Sequence, residues 1–596
     1  MEHLDSQRRD EGSQKRSPFD LIMNQIRRKK SFTESRQRPS VSRFFWPSEN
    51  SEKRGKGNPE TKECESKESS PAEDKENVGP QTGGGDPADS DVCSVVGWGR
   101  VKQFAQKLGK RPDRQTLSLS HCDLTATDVV ELATMLPFLA LLEELDLSWN
   151  DLIGGSLKAL TFHLQHVNKL KTLKLSNCRL TVEDVTALGE ALDYIPMLEI
   201  LDLSWNSCIG GNLQCLARCF VRACKVKEFH LVDCQLTAED AETLGQVLCM
   251  MPHLEVLDLS ANKLLAGGLR DLTLQLRHTP RLRALRLHLC GLQQDSIHTL
   301  GSAFQFLPDL QQLDLSCNKE AAGGFAQGAA LMIQLKHLQL LDLHLCCLTE
   351  EDMAALNQVA PSLCDLRVLD LSSNKKIGGV SQQLFPSLPL SKMRQILLYN
   401  CCLTGDSYRS LAEAMQQLCE LETLNLSWNK CVGGNLKMLL DSLKPKSRLQ
   451  ELKLSSCNLT TEDMVHLASV SRSGALVHLK HLDLTYNDTV GDQGWAHFFQ
   501  RAEGLRELVE LDLSLRPSAR RDASPWLGSL LSCLPRLAAL ADLGMHRWVL
   551  TAQQRASLEA FNRDGKRNIT FSCYQSSTGS DEGEPDSRHL GSTIEK

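Results

Sequence analysis

Two stretches decide the fold: LKLSNCRLT (Leu173–Thr181) and LDLSWNSCIGG (Leu201–Gly211). Both contain L-x-L-x-x-(C/N), and the pattern recurs in both directions. Its first apolar position falls at Leu117, Leu145, Leu173, Leu201, Phe229 and onward to Leu511, with a degraded copy at Ala541-Asp-Leu543. From Leu117 to Leu369 the step is 28 residues nine times, and it then becomes 27, 28, 28, 30 and 29. A fixed period of this length is the signature of a repeat array, in which each repeat is one structural unit.

The copies alternate. In one type Cys122, Cys178, Cys234, Cys290, Cys346, Cys401 and Cys457 fill the sixth position; in the other Asn150, Asn206, Asn262, Asn318, Asn374, Asn429 and Asn487 do. The period is therefore a pair of units. Within L-x-L the leucines point to one side of a strand and x to the other, so the leucines predict a core and the x positions a surface. After the Cys slot, Thr181-Val-Glu-Asp184, Thr237-Ala-Glu-Asp240, Thr349-Glu-Glu-Asp352 and Thr460-Thr-Glu-Asp463 open helices, with Thr as N-cap and acids in the first turn. Val185, Leu188 and Leu192 return at helical spacing. One strand and one helix cannot bury both faces, so the units must stack.

On these residues the chain resembles leucine-rich repeat proteins of the ribonuclease-inhibitor subclass, which alternate the same two unit types. The resemblance implies an α/β horseshoe solenoid over residues 96–573, with an inner parallel β-sheet, outer helices and end caps. It also implies a protein ligand on the inner surface. Trp98, Val101, Phe104 and Leu108 suit one face of an N-terminal cap helix. Residues 1–95 and 574–596 read as disordered from their Ser, Lys, Glu, Pro and Gly content.

Composition narrows the function. The chain of 596 residues carries a formal charge of -7 and no apolar stretch long enough to span a bilayer. Its polar N-terminus lacks the apolar core of a secretory signal, so a cytoplasmic location is expected, with nuclear entry through the basic run at Arg27–Lys30 as an alternative. Residues 96–573 hold 48 basic and 51 acidic residues, without the basic excess that phosphate recognition requires, which argues against nucleic acid. The 22 cysteines then read as reduced thiols. Slot cysteines two units apart should lie about 10 Å from each other, too far for a disulfide. They read as small buried residues matching the slot Asn, with no zinc-ligand spacing. The glycine pairs Gly154-Gly155, Gly210-Gly211, Gly267-Gly268, Gly323-Gly324, Gly378-Gly379 and Gly433-Gly434 lack a following Gly-Lys-Ser/Thr and read as tight bends. No cofactor, metal or small-molecule substrate is indicated.

At the x of L-x-L, Lys174 is expected between Asp146 and Asp202, and Arg286 between Asp258 and Asp314, a ladder that neutralises itself. Asp314, Asp342 and Asp370 break it and form an acidic patch suited to a basic element. His288 and His344 flank Ser316 but, about 10 Å apart, could not share an ion. Trp149, Trp205, Trp428 and Tyr486 each precede a slot Asn. They could pack on one another, or anchor a partner as tryptophan and tyrosine often do. In the flanks, Phe19, Ile22, Met23 and Ile26 fall at helical spacing ahead of Arg27-Arg-Lys-Lys30, so residues 18–30 predict a segment that folds on a partner groove or an acidic membrane surface. Ser31 and Ser580 match basophilic and acidophilic kinase sites, respectively.

The sum is a non-enzymatic protein-binding scaffold or adaptor. Two alternatives stand beside it: a regulator of a small GTPase, by similarity to the leucine-rich repeat activators of Ran, and a membrane-peripheral adaptor tethered through residues 18–30. No arginine sits in an evident motif for the former.

Overall fold

The computed structural model describes residues 115–217, 220, 225–445, 447–565 and 567–573. The predicted cap residues Trp98, Val101, Phe104 and Leu108, the segment 18–30, Ser31 and Ser580 lie outside them. Seventeen strands form one parallel sheet, each bonded to its sequence neighbours from Thr116–Ser118 to Thr570–Cys573. Register is exact across the array: Leu145, Leu173 and Leu201 are aligned, as are Asp146, Lys174 and Asp202. The leucines of L-x-L, such as Leu145 and Leu147, are fully buried, and they continue into one apolar core between the sheet and the helices. This is the α/β solenoid expected. Among the described residues no helix is long and apolar enough to cross a membrane.

The slot residues hold neighbouring turns together. Asn206 is buried; its Oδ1 accepts from the amides of Cys178 and Leu180 at 3.1 and 3.2 Å, and its Nδ2 donates to the carbonyls of Leu175 and Leu203. One side chain thus satisfies backbone groups of two units, which would otherwise be buried without partners. Cys178 does less: its thiol donates to Leu147 O at 3.3 Å and Ser176 O at 3.6 Å. Burial pushes the Cys178, Cys234, Cys401 and Cys457 thiols up to about 12, so they stay protonated and inert.

The two unit types differ in their helices. Cys-type units carry full turns, as in Val182–Ala191, Ala238–Leu248 and Thr461–Ser473, each opened by a Thr capping box. Asn-type units mostly carry shorter ones, such as Leu157–His163 and Phe325–Gly328, each continued by a 3-10 turn, although Asp492–Arg501 is as long as a Cys-type helix. Each unit thus has one strand and one helix, as expected, and the Gly-Gly bend shortens the helix in the Asn-type units that carry it. The acid of the capping box also does more than complement the helix dipole. Asp352 is fully buried; its carboxylate accepts from the Thr349 amide of its own unit at 2.9 Å, and from the amides of Gly323 and Ala326 in the preceding unit at 2.7 and 2.9 Å. Asp240 reaches Gly211 and Leu213 in the same way. Asp184 and Asp463 do the same, so four Asn-type units are locked in this way to the Cys-type unit that follows, whereas at Gly378 the Ser407 hydroxyl donates to the bend's carbonyl instead.

The bends at Gly155, Gly211, Gly323 and Gly434 are the receiving end of that lock. Gly434 sits at φ +82°, and a Cβ on Gly433 would lie 2.0 Å from the Asn458 carbonyl oxygen. Gly433→Ala is expected to cost about 1–3 kcal/mol through forced backbone displacement, whereas Gly379→Ala, which meets nothing within 4 Å, should be nearly neutral. Thermal melting of the two variants checks this.

Candidate protein-binding surface

Strand geometry places two residues of each three-residue strand on the outward, concave side, the first and the third, while the middle leucine faces the core. From Thr116–Ser118 to Glu510–Asp512 these positions carry four glutamates, Glu144, Glu228, Glu451 and Glu510, and eight aspartates, the seven of Asp146, Asp202, Asp258, Asp314, Asp342, Asp370 and Asp483 with Asp512. Against these twelve carboxylates stand three bases, Lys174, Arg286 and Lys453. The face is acidic in sum, interrupted at Gln395–Leu397 and Thr423–Asn425, which carry no ionisable side chain.

The expected self-neutralising ladder is therefore only partly where it was placed. Arg286 does reach Asp258 at 3.4 Å, but its other arm goes to Gln312, and Asp314 is left to itself. Lys174 lies in register between Asp146 and Asp202, yet its ammonium pairs with Glu144 at 3.3 Å. The alternating ladder runs instead through the residue just before each strand: Glu143 with Lys171 at 2.7 Å, Glu199 with Lys227 at 2.8 Å, Glu255 with Arg283 at 2.8 Å. The bases of this edge neutralise its own glutamates and leave the concave carboxylates uncompensated.

Asp314, Asp342 and Asp370 align on adjacent strands, as the sequence predicts. Asp314 accepts from Ser316, whose hydroxyl lies 2.7 Å from His288 Nδ1. Asp342 accepts from the His344 amide at 2.9 Å, and Asp370 from the Ser372 amide at 2.8 Å. Among the described residues none of the three has a Lys or Arg partner within ion-pair distance. Burial, then repulsion from Asp314 and Asp370, pushes the Asp342 carboxyl up to about 8. Asp370 is raised chiefly by burial, while burial lowers His344 against the pull of Asp370. Among the described residues no group of three His, Cys, Asp or Glu side chains is arranged to hold a metal ion.

Trp149, Trp205, Trp428 and Tyr486 all adopt left-handed backbone, with φ between 60° and 65°. Non-glycine residues seldom do so. Here the conformation turns the chain out of the strand while its amide still bonds the next unit, as Trp149 N does with Ser176 O at 2.7 Å. The structure brings Trp149 and Trp205 together, ring centroids 6.3 Å apart, with His121 stacked on Trp149 at 5.3 Å. Trp428 stands eight strands further along, 47% exposed, with Tyr399 edge-on at 6.3 Å. Tyr486 is half-buried. Trp149 and Trp205 pack on each other and Trp428 on Tyr399, and Trp428 presents a large apolar face to solvent. His121 and Tyr399 belong to these groups and were missed; they occupy, in Cys-type units, the position before the slot and the one before that.

Comparison with known proteins agrees with this architecture. A family model described as Leucine Rich repeat matches residues 139–159, 362–381 and 475–495. The ribonuclease inhibitor of Sus scrofa is 30% identical over 334 residues, covering 55% of this chain and 73% of that protein. The ribonuclease inhibitor of Mus musculus is 28% identical over 400 residues, covering 66% and 86%. NACHT, LRR and PYD domains-containing protein 12 of Homo sapiens is 31% identical over 338 residues, 55% of this chain but 32% of that protein. With its paired units, slot asparagines and concave sheet, the chain belongs to the leucine-rich repeat family of the ribonuclease-inhibitor type.

Proposed function

We propose that this chain is a non-enzymatic scaffold that holds a basic element of a protein partner against its concave sheet. The observation that carries the reading is the imbalance of twelve carboxylates to three bases on that face, in a body close to neutral. Complementary potential speeds encounter and selects partners by charge. The paired aromatic groups at Trp149–Trp205 and Tyr399–Trp428 supply large, partly desolvated contacts beside the charge, the residue types that dominate binding energy at interfaces. The names of the two ribonuclease inhibitors, which point to a protein ligand, support the same class of function here. Free thiols, several of them exposed, suit the reducing cytoplasm.

The test is a quantitative pull-down from cytosolic extract with the full chain. Asp314→Asn, Asp342→Asn and Asp370→Asn combined is expected to lose a defined protein at least about tenfold, as would the loss of one or two close charge pairs. A Trp149→Ala, Trp205→Ala and Trp428→Ala variant reports the aromatic share. An identical set of bound proteins in all three samples, each checked by thermal melting, would remove the concave face from the binding site.

A further inference from the structure

The acidic run of the concave face ends at two uncharged strands, and aromatic side chains stand there. Gln395–Leu397 and Thr423–Asn425 have no ionisable side chain. Just beyond them Tyr399 and Trp428 pack edge-on, ring centroids 6.3 Å apart. Trp428 is the one exposed large apolar side chain after Ile333 among the described residues. The acidic patch borders this stretch directly, with Asp370 in register with Leu397 on the neighbouring strand. The Asp370 carboxylate lies on the side of the rings: it accepts from the Ser372 amide at 2.8 Å, and the Ser372 hydroxyl accepts from the Tyr399 amide at 3.2 Å.

Two kinds of group meet here whose ligand preferences overlap. A carboxylate binds ammonium and guanidinium alike, whereas an aromatic face favours a weakly hydrated cation that can lie flat on it. Guanidinium meets both demands, because its planar fork bonds a carboxylate through two parallel N–H groups while its face stacks on a ring. Neighbouring strands stand about 4.8 Å apart, so the units of Tyr399 and Trp428 lie about 5 and 10 Å from that of Asp370 along the sheet. A guanidinium about 3 Å from a carboxylate and within about 6 Å of a ring centroid spans that interval.

The chain supplies no such cation itself. Among the described residues no Lys or Arg stands over Tyr399 or Trp428; Arg521 and Arg567 cover Trp548 and Phe561 instead. The next base along the sheet, Lys453, is one strand beyond Asn425 and pairs with Glu451 at 2.7 Å. The Trp149–Trp205 group differs, because the strand between those two units carries Lys174.

We propose that Asp370, Tyr399 and Trp428 form an arginine anchor, in which the partner's basic element seats one arginine while its other bases face Asp342 and Asp314. The inference rests on the reading of the concave face as the binding surface. It gives that surface a preference for arginine over lysine that charge alone does not supply.

The test uses the full chain and two fluorescent peptides of equal length and charge, one of five arginine–serine repeats and one of five lysine–serine repeats. The wild type is expected to bind the arginine peptide at least about fivefold more tightly, the contribution of one ring–cation contact. Tyr399→Ala with Trp428→Ala should bring the ratio below about two while the lysine peptide keeps its affinity, and Tyr399→Phe, which retains the ring, should keep the preference. Thermal melting checks that each variant is folded. Equal affinity of the wild type for both peptides, with Asp314→Asn, Asp342→Asn and Asp370→Asn combined still weakening them, would overturn the anchor and leave the concave site standing. A preference that survives the loss of both rings would also overturn the anchor. Binding of both peptides indifferent to the aspartates would overturn the concave reading together with it.

Discussion

At pH 8, Asp342→Asn is expected to unfold at a higher temperature than the wild type, and near pH 3 the two should coincide. Asp342 stands between Asp314 and Asp370 on a half-buried stretch of sheet, with the His344 amide as its one hydrogen-bond donor among the described residues. Burial and the two flanking carboxylates disfavour its ionised form and push the carboxyl from 3.8 up to about 8. The sign follows from proton counting. Between those two values the folded chain retains a proton that the unfolded chain has released, so stability is fully present below 3.8 and declines as pH rises toward 8. Asparagine cannot ionise, and its carbonyl can still accept from His344. At pH 8 the gain should be on the order of 2–4 kcal/mol, with allowance for partial solvation of the site. Melting temperatures from pH 3 to 8 check it, and parallel curves would mean that the carboxylate is fully solvated. A bound cation should reverse the preference, so the affinity of the concave face for a basic peptide should rise over the pH range in which the isolated protein loses stability.

Asn318→Ala should be strongly destabilising, as should alanine at any of the slot asparagines that make the same bonds. The Asn318 side chain accepts from the amides of Cys290 and Leu292 at 2.9 and 3.1 Å, and donates to the carbonyls of Leu287 and Leu315 at 2.9 and 2.7 Å. Alanine would leave these groups buried without that partner, at about 1–3 kcal/mol each before relaxation. A loss on the order of 4 kcal/mol is expected, centred on the two units that Asn318 joins. Cys346→Ala removes one thiol donor to the Leu315 carbonyl and a second, longer contact to the His344 carbonyl, and should cost about 1 kcal/mol. Because a repeat array opens locally, hydrogen exchange of the flanking amides is the better measurement. Equal protection loss in the two variants would show that the Asn and Cys slots are energetically interchangeable.

Much of this was legible in the residues. The period and the Cys/Asn alternation predict strand, turn and core, because each unit must satisfy the same backbone groups in the same place. The aligned Asp314, Asp342 and Asp370 follow from the period alone. What stayed hidden depends on two units at once. Asp240 and Asp352 look like ordinary first-turn acids, and only the fold shows their carboxylates reaching the preceding bend. The acidity of the concave face was underestimated because x of L-x-L is only one of two outward positions; Glu144, Glu228, Glu451 and Glu510 occupy the other. The final strand, Thr570–Cys573, lacks L-x-L and was found only through its pairing with Asp542–Met545.

The lock between Asn-type and Cys-type units sets the step in which such a chain can change length. Removing one unit would place two of the same kind side by side, and a buried aspartate would face a turn with no amides positioned for it, or a Gly-Gly bend would lose its acceptor. Removing or duplicating a pair leaves the four locked seams matched. Growth and shrinkage of this array should therefore proceed in even numbers, and an engineer wishing to widen or narrow the concave groove has two-unit blocks as the module to cut.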